Sequence, residues 1–190
     1  MPAQEPPPRD VTSDRGFLIA KATTLPRGSG YVAALMPGVV GVAYGISDRL
    51  TVHGGTVPWT VVAGTIVLFG SARYQFLNAA PVQVAVGGLG IAASSATEFE
   101  AAGWPYLTAT VGTEEYSISG LVGVGSSTSI IEGDFDGQIL LQGGAEARLS
   151  QQVKLILETL YLGEESDPGF GGGFRFHSDR FAGEVGIAWF

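Results

Sequence analysis

The chain of 190 residues has no cysteine. A disulfide framework and any thiolate-held metal are therefore excluded. Only two histidines are present, His53 and His177, one within a strand-like run and one beside a short turn, so a shared histidine metal site is not expected. Basic residues are scarce, 10 Lys and Arg against 18 Asp and Glu, for a formal net charge of −8. No basic stripe is available to neutralise phosphates, which argues against nucleic acid as a partner. No uninterrupted apolar run reaches the roughly 20 residues of a membrane helix. The Pro-rich opening MPAQEPPPRDVTSDR lacks the apolar core of a signal peptide.

What the chain does have is glycine, 29 residues of it, spread through strand-like segments instead of gathered in a linker. Glycine inside strands marks bends, bulges and close approaches, the devices a curved sheet needs. Those segments alternate with a period of two, which predicts strands with one apolar and one polar face. The pattern is clearest near the C-terminus. Ile139, Leu141, Ala145, Ala147 and Leu149 oppose Gln138, Gln142, Glu146 and Arg148. Val153, Leu155, Leu157 and Tyr161 oppose Lys154 and Glu158. Phe170, Phe174 and Phe176 oppose Arg175 and His177; Phe181, Val185, Ile187 and Trp189 oppose Arg180 and Glu184.

Earlier segments read the same way, with less contrast. Strands are expected at Gly16–Thr24, at Tyr31–Gly45 with a bend at Pro37-Gly38, and at Arg49–Gly54. Further strands follow at Val67–Phe76, Pro81–Ala93, Trp104–Gly112 and Glu114–Gly125. Residues 55 to 66 are ambiguous between a loop and a short apolar segment. Residues 1–15 are expected to form a disordered arm, and residues 16–190 a single β-barrel domain. Short turns alternate with longer connections, which puts the short turns at one end and the longer loops at the other. The expectation is an all-β, up-and-down antiparallel transmembrane barrel of about 10–12 strands.

Period alone does not say which face is outside. A soluble, lipocalin-like barrel would turn the apolar face inward and hold an apolar ligand. A membrane barrel turns it outward. The outer-membrane reading is preferred because the apolar faces of the last four strands carry no charge, and because aromatics such as Tyr44, Phe76, Tyr116 and Trp189 fall near strand ends, where interfacial girdles form. In that reading Arg73, Glu146, Arg148, Lys154, Glu158, Arg175 and Glu184 face the lumen as paired charges.

Three stretches carry a resemblance. LPRGSGYVAALMPGVVGVAYGISDRLTVHGG has a Leu-Pro-basic-Gly-x-Gly-Tyr turn followed by Tyr-Gly-Ile-x-Asp. GGAEARLSQQVKLILET and GGGFRFHSDRFAGEVGIA follow it. Together they resemble a family of uncharacterised bacterial outer-membrane β-barrel proteins. The resemblance spans most of residues 17 to 188 and implies a barrel of about a dozen strands, with no known ligand or reaction. It also implies a location in the bacterial outer membrane. The Ala-Gln-Glu at residues 3–5 looks like the residues straddling a small-residue cleavage site, so a signal already removed is preferred over a cytosolic chain. Proteins of that family end on a further closing strand. Here eleven strands are counted, so a strand within 56–66, a truncated chain, or parallel closure of the first and last strands all remain open.

No nucleophile motif such as Gly-x-Ser-x-Gly is present, so an enzyme is not expected; a barrel lipid-modifying enzyme ranks third among the readings. No cofactor is expected. The loop residues Glu132, Asp134 and Asp136 offer oxygen ligands without the full spacing of a calcium loop, so a solvated acidic rim is preferred over a metal site. The partners expected are a lipid bilayer and, at the acidic rim, lipopolysaccharide bridged by divalent cations.

Overall fold

A computed structural model describes residues 10–16, 19–35, 38–97, 99–129, 136–163 and 167–189. They form one eleven-stranded antiparallel sheet in which every strand pairs with its sequence neighbours. The strands are β1 (Gly30–Leu35), β2 (Val39–Ser47), β3 (Leu50–Thr56), β4 (Ile66–Ala79), β5 (Val82–Ser94), β6 (Phe99–Gly112), β7 (Tyr116–Ser129), β8 (Asp136–Ser150), β9 (Val153–Leu162), β10 (Gly169–His177) and β11 (Ala182–Trp189). The fold is therefore all-β and up-and-down, with a 3-10 helix at Pro58–Ala63 in the β3–β4 connection.

Two-residue turns join β2 to β3 at Asp48-Arg49, β4 to β5 at Ala80-Pro81, and β8 to β9 at Gln151-Gln152. The same end carries 113–115 and 178–181. Beside the three two-residue turns the register shifts, between Gly45 and Ser47, between Gln75 and Leu77, and between Arg148 and Ser150. Such bulges raise the local twist that curls a sheet. The other end carries the connection 57–65, and also the brief link 36–38, so it is not uniformly long.

Two expectations about the N-terminus fail. Residues 16 and 19–24 are not a strand, because their backbone groups bond to one another, to the Asp14 carbonyl and to strand side chains instead of a ladder; Phe17 and Leu18 lie outside the described residues. Residues 10–15, placed in a disordered arm, instead lie inside the sheet's curl, with Asp10, Thr12 and Asp14 all buried. The count of eleven strands still holds because the expected strand Tyr31–Gly45 divides at 36–38 into β1 and β2.

The sheet curls far enough that β1 and β11 border one cavity of about 1170 Å³, lined by Tyr31 and Ala33 on one side and Glu184 and Ala188 on the other. These edge strands are not neighbours in the hydrogen-bonded order. In an antiparallel meander all odd-numbered strands run the same way, so β1 and β11 lie parallel in sense across that seam.

The two faces of the sheet differ sharply. Val42, Tyr44, Leu68, Phe76, Leu107, Val122, Leu141, Leu157, Phe174 and Ile187 are exposed on the convex face. The concave face holds Arg73, Thr108, Ser119, Glu146, Lys154, Glu158 and Arg175, all buried. A small apolar cluster of Tyr106, Leu121 and Leu140 joins them inside, with Ala20, Trp104 and Leu160 packed against it.

Candidate functional site

The interior is built from strand side chains and from residues 10–16 and 19–25, which the strands enclose. Local chemistry shapes that segment first. The Asp10 carboxylate accepts hydrogen bonds from the Thr12 amide at 3.0 Å and the Thr12 hydroxyl at 2.9 Å, an Asx turn. The Gly16 amide then bonds the Ile19 carbonyl at 3.0 Å, and Lys21 N bonds the Asp14 carbonyl at 3.3 Å, folding the chain back on itself. A Cβ at Gly16 would overlap the Glu158 carboxylate, which would have to move aside to admit it. Where the segment leaves, the Leu25 and Pro26 carbonyls cross Gly45 at a distance that also forbids a Cβ.

The segment forms little ladder of its own, so the strands satisfy its backbone. Thr108 Oγ1 donates to the Ala20 carbonyl at 2.9 Å, Thr110 Oγ1 accepts from Ala22 N at 2.9 Å, and Thr51 Oγ1 accepts from Leu25 N at 2.8 Å. These inward threonines thus act as the missing ladder, which keeps buried amides and carbonyls paired.

Charge pairing fixes the segment in place. Asp10 meets Lys154 at 2.8 Å and Arg175 at 3.2 Å. Lys21 meets Glu146 at 2.8 Å. Arg15 meets Glu184 at 3.3 Å and stands 6.0 Å over the Tyr31 ring. Asp14 meets Arg73 at 3.2 Å, His53 Nε2 at 2.8 Å and the Tyr31 hydroxyl at 3.1 Å. Arg175 is the most heavily bonded of these groups. Its Nε donates to Glu184 at 2.7 Å, while its other nitrogens reach Asp10, the Thr12 carbonyl at 3.2 Å and the Gly16 carbonyl at 2.9 Å. Burial alone would raise the Asp10 carboxyl; the Arg175 and Lys154 cations outweigh it and hold that carboxyl below the usual carboxylate range. Asp14 is held low in the same way, against its burial, by His53 and Arg73.

The residues singled out from sequence lie as follows. Arg73, Glu146, Lys154, Glu158 and Arg175 are buried on the concave side, and the Glu184 side chain is 8% exposed there. Arg148 sits at the short-turn rim, where its guanidinium faces Glu114 at 3.5 Å and Glu115 at 3.7 Å. Glu132 and Asp134 lie outside the described residues, as do Glu98 and Glu165; Asp136 opens β8 opposite Ser127. Among the described residues no group of three or more His, Asp and Glu side chains is arranged to hold a metal ion.

Sequence reasoning missed Asp10, Asp14, Arg15 and Tyr31 as members of this interior; it set Lys21, His53 and Ser71 on polar strand faces without giving them partners. One signal for them was present. Arg73, expected to face the lumen, finds no carboxylate anywhere in the expected neighbouring strands Arg49–Gly54 and Pro81–Ala93. A buried guanidinium without a carboxylate on either neighbouring strand requires one from elsewhere in the chain, and Asp14 supplies it. No comparison with known proteins adds to this: no family model, curated protein or solved structure matches the chain.

Proposed function

We propose that this chain is a bacterial outer-membrane β-barrel, structural or narrow-pored in kind, whose interior is occupied by its own residues 10–25. The observation that carries the reading is the inversion of polarity across the sheet. Large apolar side chains are exposed along the convex face, Val185 at 60% and Ile187 at 63%, while Arg73 and Arg175 are 1% and 0% exposed on the concave one. A contiguous apolar exterior of that kind is costly in water and required in a bilayer. A soluble barrel with an apolar ligand asks for the opposite distribution, and here the interior is filled by ion pairs. The resemblance to outer-membrane barrel proteins noted from the sequence points the same way. In such a membrane the acidic loop residues Glu132 and Asp134 would meet lipopolysaccharide, with divalent cations between like charges.

The inserted segment gives the reading a further consequence. With the short-turn half of the interior occupied by Asp10, Arg15, Lys21 and their partners, the barrel conducts small ions weakly or not at all. The test is expression with an added signal peptide, followed by membrane fractionation and electrophoresis with and without heating. The expected result is recovery in the outer-membrane fraction, resistance to urea extraction, and a mobility that changes on boiling. Recovery as a detergent-independent soluble monomer would overturn the proposal.

A further inference from the structure

β3 and β4 place His53 and Ser71 directly opposite each other in register. Their side chains meet inside the sheet, with Ser71 Oγ 3.1 Å from His53 Nδ1. The other ring nitrogen, Nε2, lies 2.8 Å from Asp14 Oδ2. Asp14 is itself fully buried and held by the Tyr31 hydroxyl and by Arg73. Hydroxyl, imidazole and carboxylate therefore form one chain of hydrogen bonds, drawn from two strands and the inserted segment. None of this is visible in the sequence, where the three residues stand at 14, 53 and 71 without a shared motif.

The surroundings supply the remaining parts of a reaction centre. Phe69, Ser71 and Arg73 share the concave face of β4, two residues apart. Arg73 is 1% exposed, and its Nε–H meets no acceptor among the described residues. Arg73 pairs with Asp14 through NH2, which leaves its buried Nε–H as a free donor on the same face as the hydroxyl, the kind of group that steadies a developing oxyanion. On the other side the Phe69 ring lies over Gly41 and Gly55, an apolar surface two positions from Ser71 on the same face. Neither Ser71 nor His53 is closed off, since the His53 side chain retains 19% exposure and Ser71 is half-buried.

We propose that Ser71, His53 and Asp14 form a hydrolytic centre for carboxylic esters with an apolar acyl group, a reading that does not depend on where the barrel resides. His53 carries its proton on Nε2, donated to Asp14, which leaves Nδ1 free to accept from Ser71. Ser71 Oγ attacks the ester carbonyl as its proton passes to His53 Nδ1, and the carbonyl electron pair moves onto oxygen beside Arg73. The intermediate collapses with loss of the alkoxide, which takes the proton back from His53. Water then attacks the acyl-Ser71 ester, again giving a proton to His53. The acid departs and the proton returns to Ser71. Ser71 and His53 are the catalytic residues; Asp14 positions the imidazole.

The test treats the folded protein in detergent with a fluorophosphonate probe and with p-nitrophenyl butyrate, and locates the adduct by peptide mass spectrometry. The expected result is a single adduct on Ser71 of the wild-type chain. Labelling should vanish in Ser71→Ala and fall about 100-fold or more in His53→Gln, with the fold verified by boiling-dependent mobility. In Asp14→Asn the ring loses the carboxylate that fixes its tautomer, so kcat should fall about 10-fold or more with KM little changed. A purely structural Asp14 would leave kcat per folded molecule unchanged. No adduct on the wild-type protein, or an adduct on another serine, would overturn the proposal whether or not any variant folds.

Discussion

Replacing Arg175 by methionine keeps much of the side chain's volume and removes its charge. The structure sets the size of the effect. Arg175 is fully buried and neutralises Asp10 and Glu184 while bonding the carbonyls of Thr12 and Gly16. Breaking a buried pair from one side costs about 3–5 kcal/mol, because the remaining charge is left in a poorly solvated place. Each partner here keeps a second cation, Lys154 at 2.8 Å for Asp10 and Arg15 at 3.3 Å for Glu184. The expected cost is therefore at the low end, about 3 kcal/mol. Removing Glu184 at the same time, as Glu184→Gln, takes away the excess negative charge. The double variant should then be more stable than the sum of the singles predicts, by more than about 1 kcal/mol. Urea unfolding in micelles, followed by tryptophan fluorescence, measures all four corners of the cycle. Strict additivity, or a single-variant cost below about 0.5 kcal/mol, would refute the view that Arg175 anchors the inserted segment.

Three other outcomes follow. Leu157→Arg, on the convex face near the middle of β9, should cost about 2–4 kcal/mol in a bilayer, and folding into vesicles at graded urea reads it. Gly16→Ala should cost about 1–3 kcal/mol by forcing Glu158 aside, and should expose the peptide bond after Arg15 to trypsin, which the wild type protects. Asp10 and Asp14 have carboxyls held below their ordinary value of about 3.9, so their stabilisation is fully present above that pH and is lost as pH falls below it. Acid protease digestion should accordingly find residues 10–25 protected at pH 5 and cleaved only below about pH 4, whereas cleavage already at pH 6 would contradict these pairings.

The strands were legible because their alternation is a local property. Lys154, Glu158 and Leu157 show their two faces within five residues, and no knowledge of the fold is needed to see it. The inserted segment was not, since Asp10 and Asp14 fall in a polar stretch just after the Pro-rich opening that reads as solvated. What places them inside is long-range, with Asp10 pairing across 144 residues to Lys154 and 165 to Arg175. Residues 16–24 deceived for a related reason. Their apolar side chains alternate as in a strand, yet Thr108 and Thr110 occupy the hydrogen bonds a neighbouring strand would have used. The contact of Ser71 with His53 depends on the β3–β4 register, which the nine-residue connection 57–65 leaves unspecified in sequence.

The central claim is that the convex face meets hydrocarbon. Single nitroxide labels at Val122, Leu141, Leu157 and Ile187, read in lipid vesicles by collision with oxygen and with a water-soluble nickel chelate, address it most directly. All four positions lie on exposed apolar faces of β7, β8, β9 and β11. The account predicts high oxygen and low nickel accessibility at every one of them, with labels at Asp48 and Arg180 in the short turns showing the reverse. High nickel accessibility at Leu141 and Leu157, with the protein folded, would place that face in water and contradict the membrane reading.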